Sequence, residues 1–171
     1  GQGELGCTPL QMANMVATVA NRGHYRIPHV VKRIHDRDSI DARFYEDHHT
    51  KVDARHFDPI VEGMYKAVNE GGTGRIAMVP GLDICGKTGT AQNPHGADHS
   101  TFFCFAPRND PKIAVSVYVE NGRFGATIAA PIASLLTELY LTDTITRPAL
   151  VDYVKNMQIA YPYYEKQRKG K

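Results

Sequence analysis

Lys87-Thr88-Gly89-Thr90, inside the stretch GLDICGKTGTAQ from Gly81 to Gln92, groups the residue types in this chain best suited to holding an anion. Leu82 and Ile84 lead into it with strand-forming character. In an extended segment side chains alternate, so Thr88 and Thr90 share one face while Lys87 and Gly89 share the other. Two hydroxyls about 7 Å apart on one face, with an ammonium beside them, can hold a carboxylate. Gly89 has no Cβ, so another backbone can lie close. These are the properties of a strand edge that receives an anionic, peptide-like ligand.

The same residues also satisfy G-x-x-x-x-G-K-[ST], from Gly81 to Thr88. A phosphate loop of that pattern works only where it opens a helix whose first amides hold the phosphates. Here Gly89, Pro94 and Gly96 fall where the first helical turns belong, and they do not make a stable helix. Asp83 would in addition repel a phosphate. Nucleotide binding through Gly81–Thr88 is therefore the lesser alternative, beside an ordinary strand and turn.

Other chemistry-bearing residues give weaker signals. His95 and His99 have H-x-x-x-H spacing, but a zinc-binding helix needs a glutamate where Gly96 stands, and Pro94 argues for a loop. Gln92, His95 and His99 are then neighbours of the site rather than ligands. His48, His49 and His56 lie beside Asp47, Asp53 and Asp58 without a recognised metal spacing, and read as a solvated polar loop. Cys7, Cys85 and Cys104 form no C-x-x-C pair and read as three small buried hydrophobes. Cys85 and Cys104 could fall on neighbouring strands. No metal or cofactor is called for.

The elements that must position this stretch follow in order. Thr8, Pro9 and Gln11 mark a helix start with a capping box, and the body to Asn21 is apolar almost all round, as in a buried helix. Gly1–Glu4 is a turn before it. Tyr25–Ile34 and Ala42–Val52 suggest a peripheral hairpin around the turn DRDSID. Asp58-Pro59 starts a second helix whose stripe Ile60, Met64, Ala67 and Val68 gives one buried face, ended by Glu70-Gly-Gly-Thr-Gly74. Thr101–Ala106 and Lys112–Glu120 are the clearest strands, joined by the turn formers Pro107–Pro111 as an antiparallel hairpin. A third helix, Ala126–Leu141, offers Ile128, Ile132, Leu135, Leu136 and Leu139 to the sheet, and Pro131 either kinks it or marks its true start. Everything after Thr142 reads as peripheral, with Tyr161–Tyr164 and the basic Lys166–Lys171 as a tail.

In this order the parts resemble the C-terminal half of the transpeptidase domain of the class B penicillin-binding proteins, especially those of cell elongation. The likeness rests on GQGE, TPLQMANMVATVANRG, GMYKAV, GGTG, GKTGTAQ, DHSTFFCFAP and IAVSVYVENG, and covers roughly residues 1–141. It implies an α+β fold, an antiparallel sheet flanked by helices that forms part of the serine β-lactamase/transpeptidase-like fold, with residues 142–171 as an extension. It implies that Lys87, Thr88 and Gly89 are the family's K-[ST]-G triad, with Lys87 and Thr90 catalytic. The Thr90 backbone N–H would contribute to the oxyanion hole, and the Thr88 and Thr90 hydroxyls would hold the carboxylate of a D-Ala-D-Ala stem peptide or a β-lactam. Implied partners are peptidoglycan stem peptides, β-lactams and other cell-elongation proteins. The implied location is the cell envelope, on the periplasmic side of the inner membrane.

One departure matters. The four serines, Ser39, Ser100, Ser116 and Ser134, are followed at +3 by Ala42, Phe103, Val119 and Thr137, so no S-x-x-K is present. At +2 stand Asp41, Phe102, Tyr118 and Leu136, so S-x-N is missing too. The nucleophile and any membrane anchor are expected upstream, in a longer protein, and the 171-residue piece alone is expected to be inactive. A catalytically silent binding or scaffold domain is the other alternative. The Lys112–Glu120 strand is expected to expose an open sheet edge, which invites self-association. The length fits one domain that buries about 70% of its unfolded surface. A formal charge of +2 does not argue for nucleic acid, and no apolar run has the ~18 residues of a membrane span.

Overall fold

Thr8 opens the first helix as the sequence predicts. Its side chain accepts the Gln11 N–H at 3.3 Å, and its own N–H donates to the Gln11 side chain at 2.8 Å. Pro9 occupies the first turn, and α1 runs Pro9–Ala20. The computed structural model describes residues 4–37 and 40–159, so the turn at Gly1–Gly3, Ser39 and the tail from Ala160 lie outside the described residues. Only Val16 and Ala20 of α1 are buried, while Leu10 and Met15 stay exposed. The all-round apolar helix is thus covered on one side only in this chain.

The hairpin after α1 is smaller than its sequence suggests. β1 is His24–Tyr25 and β2 is His48–His49, paired antiparallel, and a 3-10 turn occupies Ala42–Phe44. Pro28 lacks the N–H that a longer ladder would need. His48 and His49 pack their rings on Tyr25 and His24, at 5.4 and 5.9 Å between centroids.

α2 spans Phe57–Asn69 and begins one residue before Asp58. Asp58 does not cap it but lies within the first turn, where it accepts from Arg22 Nε at 3.1 Å. The buried stripe is Phe57, Val61, Met64 and Val68, and Ile60 is exposed, so the face is rotated from the predicted one. Phe57 fixes the rotation: it is buried in the first turn, one position before the predicted helix start.

Among the described residues the main sheet has three strands in the order β3-β4-β5, all antiparallel: β3 Cys85–Ala91, β4 His99–Ala106 and β5 Ile113–Val119. β4 is central because it supplies the residues that pack on both faces. Phe102, Cys104 and Ala106 belong to a core with Val68, Ala77, Ile84 and the third helix. Phe105 and Cys85 belong to a core with Val16, Ala20, Val61 and Met64 of α1 and α2. This is period-2 alternation on a sheet buried on both sides. Cys85 and Cys104 lie on neighbouring strands, but Cys104 pairs with Gly86, so the two thiols enter opposite cores and are free. Cys7 is exposed rather than buried.

α3 runs Ala129–Thr142 with Pro131 in its first turn. It meets the sheet with Ala129, Ala130 and Ala133, and it buries Thr137, whose Oγ1 lies 3.7 Å from Cys104 Sγ. Ile128 and Leu135 are buried as the sequence predicts, whereas Leu136 and Leu139 are exposed. Small residues let a helix approach a sheet closely, so alanines take the fully buried positions of this contact, with Leu141 packed beside them. The residues after Thr142, expected to be peripheral, include a further helix, and the expected tail at 161–171 lies outside the described residues. α4, Pro148–Asn156, follows an ion pair between buried Glu138 and half-buried Arg147, Nη2 to Oε2 at 2.9 Å. Among the described residues, no helix is long and apolar enough to cross a membrane.

Candidate active-site wall

β3 is the sheet's edge strand, and its register places Lys87 opposite Phe103, Thr88 opposite Phe102, Gly89 opposite Thr101 and Thr90 opposite Ser100. A strand here, instead of a helix, removes the phosphate-loop reading of Gly81–Thr88. Upstream, Asn69 at the end of α2 fixes the start of β3: its Nδ2 donates to the Ile84 carbonyl at 2.8 Å and to the Tyr65 carbonyl at 3.0 Å.

Lys87, Thr88, Gly89 and Thr90 all line one open cavity of about 790 Å³. Two further segments close it. The loop after α2 contributes Gly71, Gly72, Thr73 and Arg75, and the loop before α3 contributes Phe124, Gly125 and Ala126. Thr73 Oγ1 meets Thr88 Oγ1 at 2.8 Å. The first loop is held by Gly74 N–H donating to the Ala67 carbonyl at 2.9 Å and Ala77 N–H donating to the Gly74 carbonyl at 2.8 Å. Buried Ser100 holds the second loop: its Oγ donates to the Phe124 carbonyl at 2.8 Å and accepts the Ala129 N–H at 3.1 Å.

Glycines set how closely that second loop approaches. A Cβ on Gly125 would stand 2.5 Å from the Gly89 carbonyl oxygen and 2.4 Å from that of Thr101. A Cβ on Gly89 would stand 2.7 Å from the Thr101 methyl. The close backbone approach expected at Gly89 is therefore made by Gly125, where backbone atoms exclude a side chain, whereas at Gly89 a Cβ would crowd only the Thr101 methyl.

The charges around the cavity are of one sign. Lys87 is exposed, and its Nζ donates to the Thr88 carbonyl at 2.7 Å, folded back along its own strand. Arg75 adds a second cation, and among the described residues no Asp or Glu lines the cavity. Two cations and three threonine hydroxyls around one space suit a carboxylate-bearing ligand. On the opposite face Lys87 also borders an apolar groove of about 550 Å³ between α1 and α2, lined among others by Val19, Ile60, Met64 and Phe103.

The weaker sequence candidates fall outside this wall. Gln92 is exposed just beyond the end of β3 and does not line the cavity. His95 is exposed in the turn before β4, where its N–H donates to the Asn93 side chain at 3.0 Å. His99 opens β4 and holds structure: its Nδ1 accepts the Asn121 N–H at 3.0 Å, and its ring packs on Tyr118 at 5.3 Å. Thr73, Arg75, Phe124 and Gly125 were not marked by sequence reasoning. The glycine-rich GGTG and NGRFG segments were the available signal, since glycine clusters mark close backbone approaches as well as turns.

Comparison with known proteins bears on this geometry. Residues 1–138 match the family model described as the penicillin binding protein transpeptidase domain. The chain is 34% identical over 165 residues to the peptidoglycan D,D-transpeptidase MrdA of Acinetobacter baumannii, an alignment covering 86% of this chain and 24% of that protein. The chain thus spans about a quarter of the length of that curated relative. Among solved structures, PBP2 of Pseudomonas aeruginosa in complex with WCK 5153 superposes with a TM-score of 0.72 at 39% identity, over 84% of this chain and 31% of that one. The imipenem acyl-enzyme complex of penicillin-binding protein A from M. tuberculosis superposes with a TM-score of 0.65 at 32% identity, over 81% of this chain and 32% of that one.

Proposed function

The chain belongs to the penicillin-binding protein transpeptidase family, and from that premise we propose that it supplies the β3 wall of a serine-type peptidoglycan D,D-transpeptidase site. The observation that carries the proposal is the convergence of Lys87, Thr88 and Thr90 on one cationic cavity at an open strand edge. The terminal carboxylate of a D-Ala-D-Ala stem peptide, or of a β-lactam, sits between the two threonine hydroxyls and the cations. The peptide itself lies along β3, the outer strand of the sheet among the described residues, and pairs with it as an added strand.

In this reading the acyl donor is attacked by a serine that this sequence does not contain, since none of its serines stands in S-x-x-K. The apolar groove on the other side of Lys87 leaves room for the segment that carries it. The Thr90 N–H then stabilises the oxyanion of the tetrahedral intermediate, a role in which losing one donor costs about 10²–10³ in rate. Lys87 adds positive charge beside the developing anion. Acylation releases the terminal D-alanine, and the acyl group passes from serine to an amine on a neighbouring stem peptide. The relatives' name, peptidoglycan D,D-transpeptidase, supports a role in cell-wall synthesis. The periplasmic side of the inner membrane and association with other elongation proteins follow as parts of the same proposal.

Labelling with fluorescent penicillin tests it. A longer chain that contains this sequence and an S-x-x-K is labelled covalently, and the 171-residue chain is not. In the longer chain Lys87→Ala lowers labelling by at least about tenfold. Undiminished labelling of that variant removes Lys87 from the site, and no labelling of any longer chain favours a silent binding domain.

A further inference from the structure

The loop from Phe124 to Thr127, which brings Phe124, Gly125 and Ala126 to the cavity, is held from two directions. On the sheet side Ser100 grips the Phe124 carbonyl, and the Thr127 N–H donates to the same carbonyl at 2.8 Å. The Thr127 carbonyl is placed differently. Its helical donor would be the N–H of residue 131, but that residue is Pro131 and has none. The Ala130 N–H goes instead to the Gly125 carbonyl at 3.0 Å. α4 supplies the missing donor: the Tyr153 hydroxyl reaches the Thr127 carbonyl at 2.9 Å.

The same C-terminal segment touches the other cavity loop. Arg147, immediately before α4, donates from Nη1 to the Met78 carbonyl at 3.4 Å. The Met78 N–H in turn donates at 3.1 Å to the carbonyl of Arg75, which lines the cavity. Arg147 is itself fixed by buried Glu138 of α3. Residues 147–153 are therefore anchored on α3 and reach one backbone carbonyl behind each of the two loops. Neither Arg147 nor Tyr153 lines the cavity.

We propose that this segment is a strap that sets the spacing of the two cavity loops, with Tyr153 as a positioning residue. It acts through Thr127 on Phe124, Gly125 and Ala126, which line the cavity together with Lys87–Thr90. The proposal rests on the transpeptidase reading for the identity of the ligand, but not for the contact itself. Because the strap works on the loops and not on the reacting groups, it governs how firmly the ligand is held before acyl transfer.

Tyr153→Phe removes the hydroxyl and keeps the ring. In a longer chain that contains this sequence and an S-x-x-K, acylation rates over a range of penicillin concentrations give two constants. One is the dissociation constant of the first, non-covalent complex, and the other is the limiting acylation rate. Tyr153→Phe raises the dissociation constant about two- to fivefold, the low end for one hydrogen bond because the contact is exposed, and leaves the limiting rate unchanged. Tyr153→Ala raises it at least as much, and Lys155→Ala, on the same helix, leaves it alone. Amide exchange reads the strap without ligand: in Tyr153→Phe, residues 122–130 exchange at least about twofold faster, while α1 is unchanged. An unaltered dissociation constant in both Tyr153 variants overturns the proposal, whatever the exchange shows. So does a smaller labelled fraction with both constants intact, which marks only a loss of folded protein. A parent chain that penicillin does not acylate removes the transpeptidase reading instead, and the exchange at residues 122–130 then decides the strap by itself.

Discussion

Thr88 meets the Thr73 hydroxyl at 2.8 Å, and the direction of the proton between them sets what Thr88 can offer a ligand. If Thr73 donates, the Thr88 proton is left to point into the cavity, where a carboxylate would take it. Thr73 then acts through Thr88, as a positioning residue. Thr73→Val is expected to slow acylation by penicillin about 2–10-fold in a longer chain that carries the serine, in line with one hydrogen bond, and Thr73→Ser is expected to restore it. An unchanged rate in Thr73→Val would show that the contact is only structural. The cysteines give a second residue-level expectation. Burial pushes the Cys85 and Cys104 thiols up to about 12, so both stay neutral at pH 8. Iodoacetamide at that pH is expected to modify exposed Cys7 alone, read as a single added group by mass spectrometry of the folded chain.

Between elements, the close approach of the Gly125 loop to β3 holds the cavity in shape. A methyl group at position 125 meets carbonyl oxygens rather than a side chain that could swing away. Gly125→Ala is expected to cost about 1–3 kcal/mol by urea denaturation and to weaken labelling in the longer chain. A variant of unchanged stability would mean that the loop can move aside freely. At the other end of the fold, Thr8→Ala removes one of the two reciprocal cap bonds of α1 and is expected to cost about 1 kcal/mol. The cap was legible in the sequence because its partners are three residues apart. The face of α3 was not, because it depends on how near the helix comes to β4.

Across the whole molecule, Glu138 joins α3 to the segment that leads into α4. It is 1% exposed, accepts from the Thr146 hydroxyl at 2.6 Å and the Thr146 N–H at 2.9 Å, and pairs with Arg147. Arg147 also reaches the Ser134 hydroxyl at 3.2 Å and the Met78 carbonyl at 3.4 Å, so one guanidinium ties three segments together. Burial by itself raises the Glu138 carboxyl, but the Thr146 hydrogen bonds and Arg147 outweigh it and hold it below its ordinary 4.5. A carboxyl depressed in the folded state stabilises the fold above its unfolded value and loses that contribution as pH falls through the folded value. Denaturation between pH 6 and 3 is therefore expected to show a loss of stability below about pH 4.5 that Glu138→Gln lacks. At pH 7 that substitution is expected to cost roughly 2–4 kcal/mol, somewhat less than a fully buried pair because Arg147 is partly exposed.

The sequence by itself determined the family, the strand that carries Lys87–Thr90, the cap of α1 and the β4–β5 hairpin. Each of those is written in residues within a few positions of one another, where capping and alternation act. Only the tertiary structure decided that Thr73, Arg75 and Gly125 join the β3 wall while His95 and His99 do not, and that Ala129, Ala130 and Ala133 meet the sheet while Leu136 and Leu139 stay exposed. Those outcomes depend on which strand lies at the edge and how closely two backbones pass, and both are set by contacts between residues far apart in the chain.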